Sequence, residues 1–223
     1  MSAMPHESDE FCESIVGQIR ENVTRPDFNL FYVGCLDGYE ADYIAKAFPE
    51  CHQYCFDAVR CADFLGTSQH VMAIGTVDGP VTLWGGRGPG LDSMYKRSYG
   101  EGVTISESVV EAKRLDTFCA ENGIDAIDVL CVDTEGTDAD VVESMGTLSD
   151  TCKMVVAEIQ YSECYPGQKW FKHLDEWLGA RGFTHLSHEV AGYACGSQGN
   201  DFWVRPQPPN ARKPLQPQVS PCF

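Results

Sequence analysis

The chain has 223 residues, of which 43% are hydrophobic, so it is long enough to bury a sizeable core in one domain. Its 33 acidic residues outnumber 16 Lys and Arg, and the net charge of -17 repels phosphate backbones and anionic membrane surfaces. We therefore expect neither nucleic acid nor a membrane as a partner. The N-terminus, MSAMPHESDEFCES, lacks the basic and apolar runs of a signal peptide, which predicts a cytoplasmic protein.

Eleven cysteines raise the question of disulfides or a zinc site. Their number is odd and no two of them form a CxxC pair, so we expect reduced thiols that pack as small hydrophobic side chains. The closest cluster, which is the alternative zinc candidate, consists of Cys51, His52, Cys55 and Cys61.

Apolar runs without alternation predict strands that are covered on both faces. In chain order they are Leu30 to Val33, Gln53 to Phe56, His70 to Ile74, Val81 to Trp84, Asp128 to Val132, Met154 to Ile159 and Phe202 to Val204. Segments with helical spacing lie between them. Because strands and helices alternate, the sheet should be mostly parallel.

Helical periodicity is clearest in three segments. Apolar residues from Tyr39 to Phe48 share one face, and a second apolar stripe runs from Trp170 to Leu178 and ends at glycine. Thr137 precedes Asp140 by three residues, which predicts a helix that starts there with a capping arrangement.

Two segments break the alternation. Residues 85–102, GGRGPGLDSMYKRSYGEG, hold six glycines, which predicts a loop that acts as a lid or a substrate-facing flap. The tail 206–223 holds six of the twelve prolines and should be extended or disordered. We therefore divide the chain into a helical N-terminal segment (1–29), one domain (30–205) and this tail.

The first strand ends in FYVGCLDG, where Gly34 and Gly38 let the backbone pass close to a ligand. Position 36 is Leu and no third glycine follows, so the GxGxxG pattern of a pyrophosphate site is missing. The second strand ends in QYCFDA, which places Asp57 where an acid accepts hydrogen bonds from both ribose hydroxyls. A structural role for Asp57 as a turn or cap residue is the alternative.

Three further acids lie at or near the ends of two later strands. VLCVDTEG carries Asp133 and Glu135 at its end, and VVAEIQ carries Glu158 beside them. Like charges in one cleft are unfavourable unless a cation, a hydrogen-bond donor or a proton offsets them. The cluster therefore indicates a cationic ligand, a divalent metal or a raised pKa, and solvated strand ends without a role are the alternative.

These motifs occur in one collinear series with VVEAKRLDTFCAENGIDAIDVLCVDTEGTDADVVESMG and VVAEIQYSECYPG. The series resembles the FkbM family of S-adenosylmethionine-dependent methyltransferases from about Leu30 to Arg205. The resemblance implies an α/β class I methyltransferase fold, which is a Rossmann-like seven-stranded sheet with helices on both faces. Its last strand, Asp201 to Arg205, would be antiparallel and would pair through a hairpin with Thr184 to Glu189.

The resemblance also implies methyl transfer to a hydroxyl of a small molecule, commonly a sugar or a secondary metabolite. Asp133, Glu135 and Glu158 would be the candidate bases, and they could hold Mg, Mn or Ca beside the acceptor. The chain could act as a homodimer. The residues that would contact S-adenosylmethionine are Gly34, Cys35, Asp37, Gly38, Asp57, Ala58, Ala73, Ile74 and Asp133.

The chain departs from the family pattern at three positions. Tyr32 replaces an acid and Leu36 an Asn, so Asp37 is the candidate substitute for the missing acid. Cys131 replaces a Lys, so either the acceptor differs from the usual one or another cation is used. Two alternatives stay open: a protein of this fold that binds the cofactor without turnover, and a nicotinamide-dependent oxidoreductase.

Four other side chains are further candidates for the site. His185 and His188 lie three apart in HLSH and hence on opposite faces of a strand, which favours a structural role over catalysis. Trp84 and Tyr95 could stack on a sugar or an aromatic ring, and for Trp84 core packing is the favoured alternative.

Overall fold

The computed structural model describes residues 7–59, 68–85, 90–96, 105–193 and 196–206. The tail from residue 207 onward, Cys61 and most of the glycine-rich segment lie outside these ranges. The elements are α1 (Glu7–Asn22), β1 (Asn29–Val33), α2 (Tyr39–Ala47), β2 (His52–Asp57), β3 (Ser68–Val71), β4 (Ala73–Ile74), β5 (Gly79–Trp84), β6 (Glu107–Lys113), α3 (Leu115–Asn122), β7 (Val129–Val132), α4 (Asp138–Glu143), a 3-10 helix (Gly146–Asp150), β8 (Met154–Gln160), α5 (Phe171–Gly179), β9 (Thr184–Tyr193) and β10 (Gly196–Val204).

Seven strands form the main sheet in the order β3-β2-β1-β7-β8-β10-β9. The first five of these run parallel, whereas β10 is antiparallel to both β8 and β9. The mostly parallel sheet, its seven strands and its antiparallel last strand are therefore confirmed. Because the parallel strands all end at one edge, their carboxyl ends come together there.

A second sheet of three strands, in the order β4-β6-β5, departs from the expected arrangement. The run from His70 to Ile74 is not one strand, because it is interrupted at Met72 and its halves join different sheets. The run from Val81 to Trp84 belongs to this second sheet. Its partner β6, ESVVEAK, was not predicted, because most of its side chains are exposed and it has no apolar run.

The last hairpin is longer than predicted. β10 starts at Gly196 rather than Asp201, because backbone pairing with β8 and β9 extends through the polar residues 197–200. Main-chain hydrogen bonds pair this polar stretch with its neighbours, so no apolar pattern signals it in the sequence.

Two apolar clusters lie on opposite faces of the main sheet. Along β1, Phe31 and Val33 pack with α3, α4 and α5, whereas Leu30 and Tyr32 pack with α1 and α2. Helices on both faces are therefore confirmed, and the strand is buried throughout as its unalternating sequence predicts. The buried side chains of α1 belong to the same core as the strands. Burial of each large apolar side chain stabilises the fold by roughly 1.5–3 kcal/mol.

The eight cysteines within the described ranges are all free, and most are buried. Burial raises the pKa of several of these thiols, that of Cys51 to about 11. This agrees with reduced thiols packed as apolar groups. Within the same ranges no helix has the length and apolar character needed to cross a membrane. The cytoplasmic location stays a prediction.

Candidate active site

A cavity of about 220 Å³ lies at the carboxyl ends of β1, β2 and β7, against the second sheet. It lies where a parallel sheet normally takes its ligand. Its lining brings together seven of the residues predicted for the site, namely Gly34, Asp57, Ala58, Ala73, Ile74, Asp133 and Glu135. These residues come from four separate stretches of the chain, so the predicted motifs do converge.

At Gly34 the backbone after β1 lies close against the backbone after β7. The φ of Gly34 is 81°, and a Cβ added there would lie 1.6 Å from the carbonyl oxygen of Asp133. Its amide also donates to the carbonyl of Phe56 at 2.8 Å. The glycine is thus required by the packing of one strand end against another.

Asp57 faces the cavity from the end of β2 and holds two loops in place. One carboxylate oxygen accepts the amide of Leu36 at 2.9 Å and the other accepts the amide of Val59 at 2.8 Å. Because each carboxylate oxygen has about two acceptor sites, Asp57 keeps one on each oxygen for a ligand. A diol donates two hydrogen bonds of the kind that this carboxylate can still accept.

Three predicted contacts of the first loop lie outside the cavity lining. Cys35 is buried, and Gly38 has a φ of 76° at the start of α2. The exposed Asp37 accepts the amide of Tyr39 at 3.1 Å, as a turn residue does. Leu36 instead lines the cavity with a φ of 43°, in a backbone region that suits the Asn of the family pattern better.

Asp133, Glu135 and Glu158 form the acidic cluster that the sequence predicts. One carboxylate oxygen of each lies within 4.8 Å of the others. Asp133 is exposed toward the cavity, and Glu158 lies behind it with one oxygen bound to Gln198 at 2.8 Å. The other oxygen of Glu158 is buried and has no hydrogen-bond partner in the part of the chain that the structure describes.

The cluster raises the pKa of two of its members, Asp133 and Glu158. Desolvation and the neighbouring carboxylates of Glu158 and Asp138 raise the pKa of Asp133 well above its usual value. Desolvation, with the charges of Asp138 and Glu135, raises the pKa of Glu158 to about 7. At neutral pH the cluster is therefore stabilised by a bound proton or by a cation.

Asp138 fixes the turn that carries Glu135. Its buried carboxylate accepts the amides of Thr134 at 2.9 Å and of Gly136 at 3.1 Å. Glu135 has a φ of 52°, an unfavourable conformation for a residue with a side chain. Thr137 does precede α4, but its hydroxyl bonds the carbonyl of Thr134, so the predicted capping arrangement is wrong.

Two side chains that the sequence analysis missed hold Glu135 from outside. The hydroxyl of Tyr165 donates to its carboxylate at 3.2 Å, and the hydroxyl of Ser93 donates to its carbonyl at 2.7 Å. The ring of Tyr165 is buried against Gly136, where a Cβ would lie 2.6 Å from a ring carbon. Tyr165 belongs to the segment VVAEIQYSECYPG, which carries part of the family resemblance, but nothing in its sequence indicates this contact.

The glycine-rich segment reaches the cavity with its described part, residues 90–96. Ser93 forms a bridge with Trp84, and Tyr95 donates to Asp140 at 2.8 Å. Trp84 is half-buried, with the ammonium of Lys96 4.2 Å from its ring centre, so the favoured core role is wrong. The segment does cover the cavity, whereas its motion as a lid stays a prediction.

His185 lies in a separate hydrogen-bonded group on the outer strands. Its Nε2 is 2.6 Å from the fully buried carboxylate of Asp201, which also accepts the hydroxyl of Tyr161 at 2.5 Å. His185 does not line the cavity. This arrangement agrees with the structural role that the sequence favoured; the side chain of His188 lies outside the described part.

Comparison with known proteins gives three kinds of match. The family profile described as Methyltransferase FkbM domain matches residues 32–185, more than half of the chain. The curated 2-O-methyltransferase NoeI of Sinorhizobium fredii (strain NBRC 101917 / NGR234) is 25% identical over 172 residues, which cover 68% of this chain and 71% of NoeI.

Two solved structures are distantly similar. Magnesium protoporphyrin IX methyltransferase (ChlM) from Synechocystis PCC 6803 with bound SAM has a TM-score of 0.48 at 10% identity, over 92% of this chain and 87% of that chain. N-methyltransferase NodS from Bradyrhizobium japonicum WM9 has a TM-score of 0.47 at 10% identity, over 90% and 97%.

Proposed function

The chain belongs to the FkbM family of S-adenosylmethionine-dependent methyltransferases, and on this basis we propose that it methylates a hydroxyl oxygen of a small molecule such as a sugar or a secondary metabolite. The name of the relative NoeI, a 2-O-methyltransferase, supports oxygen as the acceptor atom. The observation that carries the proposal is the cavity that joins Asp57 to the acids at 133 and 135.

The residues of this cavity fit the donor. S-adenosylmethionine supplies a methyl group on a positively charged sulfur when it is bound. Asp57 would accept the ribose hydroxyls with its remaining acceptor sites. The apolar side chains of Met72, Ala73 and Ile74 would contact the adenine. Asp133 and Glu135 provide negative charge for the sulfonium end.

The acidic cluster would take the acceptor's proton. The acceptor oxygen bonds the methyl carbon as the carbon–sulfur bond breaks, the electron pair goes to sulfur, and the acceptor's proton goes to a carboxylate. Among Asp133, Glu135 and Glu158 we favour Glu135 as the base. It lines the cavity, and its carboxylate is held in place by the hydrogen bond from Tyr165.

Binding of S-adenosylhomocysteine tests this function without knowledge of the acceptor. At 100 times its dissociation constant the ligand should raise the melting temperature by roughly 5–10 °C. NAD at the same concentration should leave the melting temperature unchanged, which excludes the oxidoreductase. The absence of any shift with S-adenosylhomocysteine would contradict the proposal. A shift without methyl transfer to a broad set of hydroxylated acceptors would favour the binding protein without turnover.

A divalent ion is a second proposal for the acidic cluster, supported by the three oxygens within 4.8 Å of one another. Oxygen ligands suit Mg, Mn or Ca, and such an ion would lower the pKa of the acceptor hydroxyl. We expect EDTA to reduce the rate of methyl transfer by about tenfold or more, because a tenfold loss corresponds to only about 1.4 kcal/mol of transition-state stabilisation. Added Mg or Mn should restore the rate.

The matched variants are Glu158→Gln and Glu176→Gln. The first removes one oxygen of the cluster and should abolish the response to the metal, whereas Glu176 lies exposed on α5 and its replacement should not matter. Methyl transfer that is the same with EDTA and with Mg would show that the cluster works with a proton in place of a metal.

A further inference from the structure

A second cavity of about 320 Å³ adjoins the first and plays no part in the function described so far. Met94 and Thr137 line both cavities, so the two are neighbours with a shared boundary. Val77 in its lining is 51% exposed, so the second cavity opens toward solvent. A molecule that enters there comes to rest beside the cavity that contains Asp133 and Glu135.

The second cavity has a buried polar centre. Asp140 is 9% exposed and its two oxygens are held separately, one by the hydroxyl of Tyr95 at 2.8 Å and the other by the ammonium of Lys169 at 2.9 Å. Each oxygen keeps an acceptor site, and the hydroxyl of Tyr95 can still accept. The carboxylate is thus held in a fixed orientation by strong hydrogen bonds from two sides.

The charge balance of this cavity disfavours anions. The ammonium of Lys169 is shared between Asp140 and Glu143, 2.5 Å away, so one positive charge faces two negative ones. The chain as a whole carries a net charge of -17. An acceptor that bears a carboxylate or phosphate would therefore be repelled both at a distance and at the site.

The remaining lining alternates hydroxyl and apolar groups. Thr76 and Thr82 offer hydroxyls, while Val81 and Met94 offer hydrocarbon. A pyranose ring has the matching surface, because its hydroxyls project around the rim and its C–H groups cover the faces.

We propose that the second cavity is the acceptor site and that it takes a neutral polyhydroxylated ring, held by Asp140 and Tyr95 with one hydroxyl directed past Thr137 toward Glu135. This rests on the proposed function, since it names the acceptor of the same methyl transfer. It adds a location, a charge requirement and specificity-determining residues that the cofactor cavity does not contain.

The test uses the full chain and measures release of S-adenosylhomocysteine with three matched sets of acceptors: neutral methyl glycosides of common hexoses and deoxyhexoses, the corresponding uronic acids, and the 6-phosphates. We expect turnover with neutral glycosides and at least about tenfold lower kcat/KM with the charged counterparts. Equal or better turnover of the charged sets overturns the proposal.

The variants separate the two cavities. Tyr95→Phe and Thr82→Val each remove one hydroxyl, so KM for the glycoside should rise about tenfold while the affinity for S-adenosylhomocysteine, measured by calorimetry, stays the same. Thr184→Val, on an exposed position of β9 that lines neither cavity, should change neither quantity. Unchanged KM in both cavity variants refutes the location.

Failure of the two proposals can be told apart. A wild-type protein that binds S-adenosylhomocysteine but turns over none of the neutral glycosides refutes the neutral-ring acceptor and leaves the methyltransferase intact. A wild-type protein that does not bind S-adenosylhomocysteine refutes the methyltransferase itself, and the acceptor site with it.

Discussion

Gly34→Ala is expected to destabilise the protein by more than about 4 kcal/mol, a loss that few single substitutions reach. The added Cβ would lie 1.6 Å from the carbonyl oxygen and 2.6 Å from the carbonyl carbon of Asp133, so the ends of β1 and β7 would have to separate. The positive φ of 81° adds roughly 1–2 kcal/mol of backbone strain. Urea denaturation at constant temperature measures the change.

Gly123→Ala is the matched control. Gly123 also has a positive φ, 67°, at the end of α3, but an added Cβ would have nothing within 4 Å. Its replacement should therefore cost only the backbone term, roughly 1 kcal/mol. Equal destabilisation by the two substitutions would show that strain and not the contact between strands explains Gly34. Recovery of folded Gly123→Ala but not of Gly34→Ala agrees with the prediction.

Asp57→Asn should weaken binding of S-adenosylhomocysteine roughly 100-fold or more, because two charge-assisted hydrogen bonds to the ribose are worth about 1.5–3 kcal/mol each. The Asn side chain also has only one acceptor oxygen, whereas the two oxygens of Asp57 accept the backbone N–H groups of Leu36 and Val59. Calorimetry gives the affinity, and a melting curve without ligand separates the loss of the loop contacts from the loss of ligand contacts.

Asp37→Asn removes the same charge from a position twenty residues earlier and serves as the comparison. The carboxylate of Asp37 is exposed, accepts the amide of Tyr39 and does not line the cavity. We expect it to change the affinity by less than about fivefold, since an exposed charge contributes roughly 0–1 kcal/mol. If Asp37→Asn were as damaging as Asp57→Asn, then Asp37 would substitute for the acid that Tyr32 replaces.

At Tyr32 the sequence shows that an acid is missing, but it does not show which residue takes over the role of that acid. The side chain of Tyr32 is 5% exposed and packs into the cluster with Leu30 and Ile44. Burial and the charges around it raise the pKa of its hydroxyl well above the usual value. The sequence shows which residue type is absent, whereas the nearby acid Asp37 does not line the cavity.

Local patterns determined most of the sheet and its helices. An unalternating apolar run such as Leu30 to Val33 needs cover on both faces whatever its neighbours are, and the stripe from Trp170 to Leu178 needs one apolar partner surface. Such requirements are set by the side chains themselves. The largely exposed strand β6 and the polar start of β10 have no such apolar requirement, because they join their sheets mainly through main-chain pairing.

For the site, the sequence by itself determined which acids lie at or near strand ends, since Asp57 and Asp133 close or follow a buried run and Glu158 lies two residues before the end of another. Parallel strands end at one edge, so their convergence follows from the fold class. Only the tertiary structure decided which side chains from the loops reach Glu135 and Asp140. Tyr165, Ser93 and Tyr95 come from segments without periodicity, and their positions depend on contacts between stretches that lie 30 to 45 residues apart in the chain.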